Sequence, residues 1–223
     1  MDDKILDNIW SKIRLMLKSH PWHGVPIGKD FPEIVTAYIE IVPTDTVKYE
    51  IEKNSGFLKV DRPQKYSNIC PTPYGFIPQT LCGSSVAEFC MNQSDRKNII
   101  GDNDPLDICV ITEKNLNNSN ILLQAIPIGG LRMIDNNEAD DKIIAVMKGD
   151  AIFSKWKDIS DCSDSFVERL KHYFLTYKEA PGEGIKRTEI QKIYGREEAF
   201  EVIRASNNDY LSQHSDLNEL LGM

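Results

Sequence analysis

The sequence lacks the features of secreted, membrane-spanning and nucleic-acid-binding proteins. Its five cysteines are odd in number and form no Cys-x-x-Cys pair, which favours free thiols in a reducing compartment. No segment approaches the ~20 apolar residues of a transmembrane helix, and the opening Met-Asp-Asp-Lys is not typical of a signal peptide. The formal charge of −8 disfavours a nucleic-acid surface. We therefore expect a cytoplasmic protein with neither a membrane nor a nucleic acid as partner.

Several catalytic motifs are missing as well. The sequence has no Gly-x-Ser-x-Gly nucleophile elbow and no phosphate-binding Gly-rich loop that ends in Gly-Lys-Ser/Thr. Its five cysteines and four histidines form no decisive Cys-His pattern. These absences direct attention to the acidic residues.

Hydrophobic periodicity divides the chain into a β-rich first part and a helical last part. Apolar residues at helical spacing predict a surface helix over residues 5–18. His20 and His23 follow it and admit a metal-ligand alternative, but Pro21 between them favours a plain loop. Alternating and β-branched segments predict strands at residues 35–42, 47–52, 57–60, 107–112, 121–134 and 142–147.

Helices are predicted near residues 165–178 and 195–211. Strands followed by helices predict an α+β protein, mainly β, with a closed barrel and flanking α-helices. We interpret residues 1–223 as a single domain, in which 1–30 form an N-terminal helical extension. Residues 82–100 are polar and irregular, and we interpret them as an inserted loop.

The most informative segment is Asp102-Asn103-Asp104-Pro105-Leu106-Asp107, which places three carboxylates in one short loop. Like charges ~4 Å apart repel by roughly 4 kcal/mol at an effective dielectric of ~20, and a divalent cation reverses the sign of this interaction. A calcium loop of the EF-hand type is excluded because Asp107 occupies the position that requires glycine. A second acidic segment contains Asp135, Glu138, Asp140 and Asp141. Two such segments predict a site for several ions with oxygen ligands.

Basic residues in the same part of the chain predict a phosphate site. In the alternating strand, Lys48 and Glu50 share one face, and Arg62 follows the next strand. An arginine fork binds two phosphate oxygens, while a lysine acts as a point charge. Tyr177 and Lys178 end a helix, where a lysine that only complements the helix dipole is the alternative explanation.

These motifs together resemble the soluble inorganic pyrophosphatases of family I. The resemblance spans about residues 38–180 and begins with Gly-Asp-Asn-Asp-Pro-Leu-Asp at 101–107. The other matching segments are Lys48-Tyr49-Glu50, Val60-Asp61-Arg62, Tyr74-Gly75-Phe76, residues 127–135, Asp140-Asp141-Lys142 and residues 172–178. The resemblance implies a five-stranded, OB-like closed barrel and Mg²⁺-dependent hydrolysis of pyrophosphate to two orthophosphates. It also implies several Mg²⁺ ions per site, for which Mn²⁺ or Zn²⁺ can substitute, and a homo-oligomer.

The resemblance also implies roles for individual residues. Asp104 is expected to accept a proton from the attacking water. Ions are expected at Asp102, Asp107, Asp140, Asp135 and Glu50, with Asp107 shared by two of them. Phosphate contacts are expected from Lys48, Arg62, Tyr74, Lys142, Tyr177 and Lys178, of which Arg62, Tyr74 and Lys142 are also placed in the catalytic set. Glu40 is expected to support the site.

The sequence departs from the family pattern at Asn136, where an acidic residue is usual, and at Cys70, where a tyrosine is frequent. Two other functions compete with this interpretation. An OB-type nucleic-acid-binding module is disfavoured by the acidic cleft. A metal-dependent phosphohydrolase acting on nucleotides or phosphate esters is left open by the sequence.

Overall fold

The computed structural model describes residues 19–178 and 188–215, so the helix predicted at 5–18 lies outside the described residues. The strands are β1 (Val35–Ile41), β2 (Val47–Ile51), β3 (Leu58–Pro63), β4 (Tyr74–Phe76), β5 (Ile100–Gly101), β6 (Asp107–Ile111), β7 (Ile121–Asp135), β8 (Glu138–Ala139), β9 (Lys142–Met147) and β10 (Thr188–Gly195). The helices are α1 (Ser84–Asn92), α2 (Asp164–Thr176) and α3 (Arg196–Gln213), with a 3₁₀ turn at Ile159–Asp161.

Five strands hydrogen-bond in a ring, in the order β1, β4, β6, β9, β7 and back to β1. The 15-residue strand β7 makes this closure because it pairs with β1 near its start and with β9 through its middle. A register shift between Pro127 and Gly129 bends β7 between these partners. The fold is therefore mainly β, as predicted.

The buried strands alternate between two hydrophobic clusters. In β6, Ile108 and Val110 face one cluster, while Cys109 and Ile111 face the other. The first cluster is covered by α1 and α3, and the second by α2 through Leu170 and other residues. Both faces of β6 are thus buried, which explains its continuous apolar sequence.

The segment 82–100 differs from its prediction as an irregular loop, because it contains α1. Val86, Ala87 and Cys90 are buried on one face of this helix and belong to the cluster shared with α3. The strand β10 was also not predicted; it pairs with the end of β7 from Asp135 to Gly129.

The hairpin of β2 and β3 is a separate two-stranded sheet. Its register places Lys48 opposite Arg62, so these two cations are neighbours across the hairpin. Within the described residues, no helix combines the length and the apolar character that crossing a bilayer requires.

Candidate active site

One cleft of about 590 Å³ collects all the residues that the sequence predicted for the site. It lies between the β2–β3 hairpin, the loop that joins β5 to β6, the start of β9 and the end of α2. Its lining includes Glu40, Lys48, Glu50, Arg62, Tyr74, Asp102, Asp104, Asp107, Asp135, Asp140, Lys142, Tyr177 and Lys178. Residues more than a hundred positions apart thus form a single site.

The acidic loop has a fixed backbone. The Asp104 N–H donates to Asp102 Oδ1 over 2.9 Å, and Asn103 adopts a left-handed conformation with φ of 59°. The loop is tied to the preceding segment because Cys82 N–H donates to the Asp104 carbonyl over 2.8 Å and Leu106 N–H donates to Thr80 Oγ1 over 2.9 Å. The carboxylates of Asp102 and Asp104 are therefore held at the cleft by backbone hydrogen bonds.

Burial makes several of these carboxylates costly to ionise. Burial and then the charge of Asp140 raise the pKa of Asp102 to about 8. Burial raises the pKa of Asp140 to about 6, where Asp107 adds to the rise and Lys142 opposes it. Burial likewise raises the pKa of Glu40 to about 8, although its carboxylate accepts the Ile51 N–H over 2.8 Å. Positive charge in the cleft relieves this cost.

Lysine ammonium groups supply part of that charge. Lys142, which is only 2% exposed, lies opposite Asp107 in the β6–β9 ladder and contacts the carboxylates of Asp107 and Asp140. Lys178 contacts Asp135. Lys48 lies 3.1 Å from Glu50. Each of these lysines therefore pairs with at least one carboxylate of the cleft.

Arg62 has a hydrogen-bonding group that no atom of the described residues satisfies. Its Nη1 contacts Asp61, but its buried Nη2 has no hydrogen-bond partner among the described residues. The guanidinium lies 5.4 Å from the centre of the Tyr177 ring. Burial and then the charge of Asp107 raise the pKa of Tyr74 well above its ordinary value, so its hydroxyl remains a donor. A guanidinium donor without a partner, as at Arg62 Nη2, suits the oxygens of a phosphate.

The donor chemistry of the cleft fits hard cations. Of the described residues that line it, none is a histidine or a cysteine, and carboxylates are the potential ligands. Carboxylate oxygens are the ligands that Mg²⁺ prefers. Among residues 19–178 and 188–215, no group of three acidic, histidine or cysteine side chains is already arranged as a metal site, and lysines separate the acids instead.

Sequence reasoning missed several charged residues of the cleft, among them Asp61 and Lys53. Asp61 accepts from Lys48 over 3.0 Å and contacts Arg62, so it orients both cations. Its place directly before Arg62 was the available signal. Lys53 lies in the β2–β3 turn and contacts the Asp104 carboxylate, and no local pattern indicates this.

The second acidic segment divides between two environments. Asp140 lines the cleft, but Asp141 is buried on the other side of the chain. There it accepts from Arg132 Nη2 and from the Tyr194 hydroxyl, each over 3.0 Å. The alternative of a metal site at His20 and His23 is not supported, since His23 Nδ1 lies 3.0 Å from the Tyr210 hydroxyl and His20 Nε2 lies 3.1 Å from the Lys53 carbonyl.

The fold and the cleft define a class: a mainly-β enzyme whose acidic, cation-lined site fits a small polyanion together with hard metal ions. A family model described as inorganic pyrophosphatase matches residues 37–211. The inorganic pyrophosphatase of Chlamydia muridarum is 53% identical over 195 residues, which make up 86% of this chain and 93% of that protein. The soluble inorganic pyrophosphatase of Zea mays is 36% identical and covers 78% of this chain and 73% of its own length.

The crystal structure of inorganic pyrophosphatase from Thermus thermophilus has the same fold, with a TM-score of 0.72 at 27% identity, covering 86% of this chain and 99% of that chain. This chain therefore belongs to the inorganic pyrophosphatase family, whose members are metal-dependent enzymes. The resemblance predicted from the motifs, and with it the prediction of a pyrophosphate-hydrolysing enzyme, is confirmed.

Proposed function

We propose that this cleft hydrolyses inorganic pyrophosphate to two orthophosphates with several Mg²⁺ ions, for which Mn²⁺ or Zn²⁺ can substitute. The observation that carries the proposal is the meeting of the acidic loop with the cations of four other elements in one cleft of about 590 Å³. This volume lies in the range of small-molecule sites. Pyrophosphate carries several negative charges, so its binding requires cations, while the carboxylates require metal ions.

The carboxylates divide into ligands and a base. Asp102, Asp107 and Asp140 would hold a first ion, with Asp107 shared by a second. Asp135 with Asp140, and Glu50, would hold further ions. When bound, such ions neutralise the substrate and lower the pKa of a water molecule far below that of bulk water. The burial and mutual repulsion of Asp102 and Asp140 support this assignment, because divalent charge removes both costs.

Asp104 is the proposed proton acceptor. Its side chain is half exposed to the cleft, and its backbone is fixed by hydrogen bonds to Asp102 and Cys82. A carboxylate at this position can take the proton of a water that attacks phosphorus in line. No covalent intermediate with the enzyme is required.

The cationic and phenolic side chains bind the phosphates. Lys48, Arg62, Lys142 and Lys178 supply positive charge, and the hydroxyls of Tyr74 and Tyr177 supply hydrogen bonds. The free Nη2 of Arg62 supports a direct contact with a phosphate oxygen. These groups stabilise the charge of the departing phosphate. Glu40 supports the site by fixing the Ile51 amide at the end of β2.

The same proposal includes the organisation of the molecule. We infer that the five-strand ring is an OB-like closed barrel in a single domain over residues 1–223, with residues 1–30 as an extension. The exposed Val60, Tyr66 and Ile69 support a homo-oligomer. The five free, buried cysteines support a cytoplasmic location. Light scattering coupled to size-exclusion chromatography tests the oligomer, and a monomeric mass contradicts it.

Substrate selectivity tests the function. Phosphate release is measured from pyrophosphate, a nucleoside triphosphate and a phosphate monoester, each with Mg²⁺ and with a chelator in its place. We expect rapid release from pyrophosphate with Mg²⁺, little from the other two compounds, and none with the chelator. Absence of release from folded protein with Mg²⁺ or Mn²⁺, or a preference for the monoester, refutes the proposal.

A further inference from the structure

The turn between β2 and β3 reaches across the cleft to the proposed base. Lys53 in this turn contacts the Asp104 carboxylate, and its Nζ also donates to the Asn103 carbonyl over 3.4 Å. Lys53 makes this ion pair with Asp104 Oδ1, a buried atom for which the described residues supply no other partner. The side chain that fixes Asp104 therefore comes from the hairpin.

The hairpin depends on contacts outside its own two strands. Within residues 19–178 and 188–215, β2 and β3 form no ladder with the larger sheet. The turn is ordered internally because Gly56 N–H donates to the Glu52 carbonyl and Ser55 N–H donates to the Glu52 carboxylate, each over 2.8 Å. These bonds set the shape of the turn but not its position over the cleft.

Glu40 anchors the end of β2 through the Ile51 amide, and the turn at residues 20–24 fixes the hairpin turn beyond it. The backbone N–H of Trp22 donates to His20 Nδ1 over 3.2 Å, so Nδ1 is an acceptor and Nε2 carries the ring proton. Nε2 therefore donates to the Lys53 carbonyl over 3.1 Å. Gly56 packs against the same turn with φ of 69°: a Cβ atom there would lie 2.7 Å from Pro21 Cδ and 2.8 Å from His20 Cδ2.

The 20–24 turn is also attached to the support of the acidic loop. Trp22, which is 5% exposed, donates from Nε1 to the Thr80 carbonyl over 2.7 Å. Thr80 in turn accepts the Leu106 N–H through its hydroxyl over 2.9 Å. The turn thus contacts both sides of the cleft, the hairpin through His20 and the acidic loop through Trp22 and Thr80. It lies before residue 37, where the family match begins.

We propose that the 20–24 turn is a positioning element for pyrophosphate hydrolysis, because it fixes the Lys53 backbone so that the Lys53 ammonium holds the Asp104 carboxylate in place. The inference rests on the proposed function. Lys53 and His20 are positioning residues that act through Asp104. A misplaced base lowers the rate of the chemical step more than it weakens binding of the substrate.

Steady-state kinetics of matched variants test this inference. We expect Lys53→Ala to lower kcat by about tenfold with KM changed by less than about twofold, and Lys53→Arg to keep most of the activity. His20→Ala is expected to lower kcat by a smaller factor. The double variant is expected to be no slower than Lys53→Ala, since both changes remove one connection. Lys29→Ala, an exposed lysine outside the cleft, is the control and is expected to match wild type.

Amide hydrogen exchange on the metal-free protein gives a readout that does not depend on activity. His20→Ala is expected to accelerate exchange at the Glu52 and Gly56 amides, which are bonded within the turn, and to leave the Ile143 amide in β9 unchanged. If His20→Ala does not fold, Gly56→Ala disturbs the same contact from the hairpin side and is expected to give the same kinetic change.

Three results overturn the inference while wild type remains active: a Lys53→Ala variant with a raised KM and normal kcat, multiplicative losses in the double variant, or unchanged exchange at Glu52 and Gly56. Folded wild type without pyrophosphatase activity would instead refute the proposed function on which the inference rests. The wild-type assay, run first, distinguishes the two failures.

Discussion

The neighbouring residues Asp140 and Asp141 have opposite expected roles, which makes them a sharp test of the structure. Asp141 has a 1% exposed side chain and faces the fully buried Arg132, whose Nη1 also lies 3.1 Å from Glu198. The guanidinium packs 5.0 Å from the ring centres of Phe89 and Tyr194. Asp141→Asn therefore leaves a buried arginine with one carboxylate in place of two.

The size of the effect follows from burial. Arg132 donates to the Asp141 carboxylate from Nε and Nη2, and the Tyr194 hydroxyl donates to it as well. Removing one partner of a buried ion pair costs about 3–5 kcal/mol, and an asparagine offers only one oxygen to these donors. For a protein of this length, 1 kcal/mol corresponds to roughly 2–4 °C in the melting temperature. We expect Asp141→Asn to melt roughly 6–20 °C below wild type.

Asp140→Asn is the matched control. Asp140 lies close to Asp102 and Asp107, so a neutral amide in its place relieves repulsion between carboxylates. Lys142 keeps its contact with Asp107. The metal-free Asp140→Asn protein is therefore expected to melt no lower than wild type. Its pyrophosphatase activity is expected to fall by two or more orders of magnitude, since Asp140 is a proposed ligand.

The assay combines chemical denaturation of metal-free protein with turnover per folded molecule at a temperature where each variant is folded. Asp141→Asn should lose stability and keep turnover near that of wild type. Asp140→Asn should keep its stability and lose turnover. The reasoning is refuted if Asp141→Asn unfolds with the same free energy as wild type, or if both variants lose turnover equally.

Three further predictions concern the cleft. Without metal, the free energy of unfolding should fall as pH rises from about 6.5 to 9, because the raised pKa values of Asp140, Asp102 and Glu40 disfavour their ionised forms in the folded state. The lowered pKa of His23 reduces stability only at pH values below the pKa of an unfolded histidine, which is outside this range. Chemical denaturation that shows stability rising over this range contradicts the prediction. Arg62→Lys should raise KM for pyrophosphate about tenfold because the fork is lost, and an unchanged KM argues against a phosphate contact. Asp107→Ala should raise the Mg²⁺ concentration for half-maximal activity more than Asp135→Asn does, and the opposite order would exclude a shared ligand.

Elements with strong local patterns were predictable from the sequence. The strand at Val47–Ile51 alternates strictly, and α3 at Arg196–Gln213 agrees with the helix predicted at 195–211. The helix at Ser84–Asn92 was missed because it is short and places few apolar side chains on its buried face. Its burial depends on α3, which lies more than a hundred residues later.

The site was predictable where several of its charged residues lie close together in the sequence. Three acids around Pro105 indicate a metal site without any knowledge of the fold, and the structure brings them into one cleft with the predicted lysines. The contact of Lys53 with Asp104 was not predictable, since it depends on how a hairpin turn is held by residues 20–24. The inward burial of Asp141 next to Asp140 depends likewise on Arg132 in another strand.

The role of Asp104 tests the central claim most directly. Phosphate release from pyrophosphate with saturating Mg²⁺ is measured for wild type and for Asp104→Asn, which keeps the shape of the side chain and removes the base. The account predicts a loss of turnover of about two orders of magnitude or more in a variant that remains folded. Turnover near that of wild type in Asp104→Asn would contradict it.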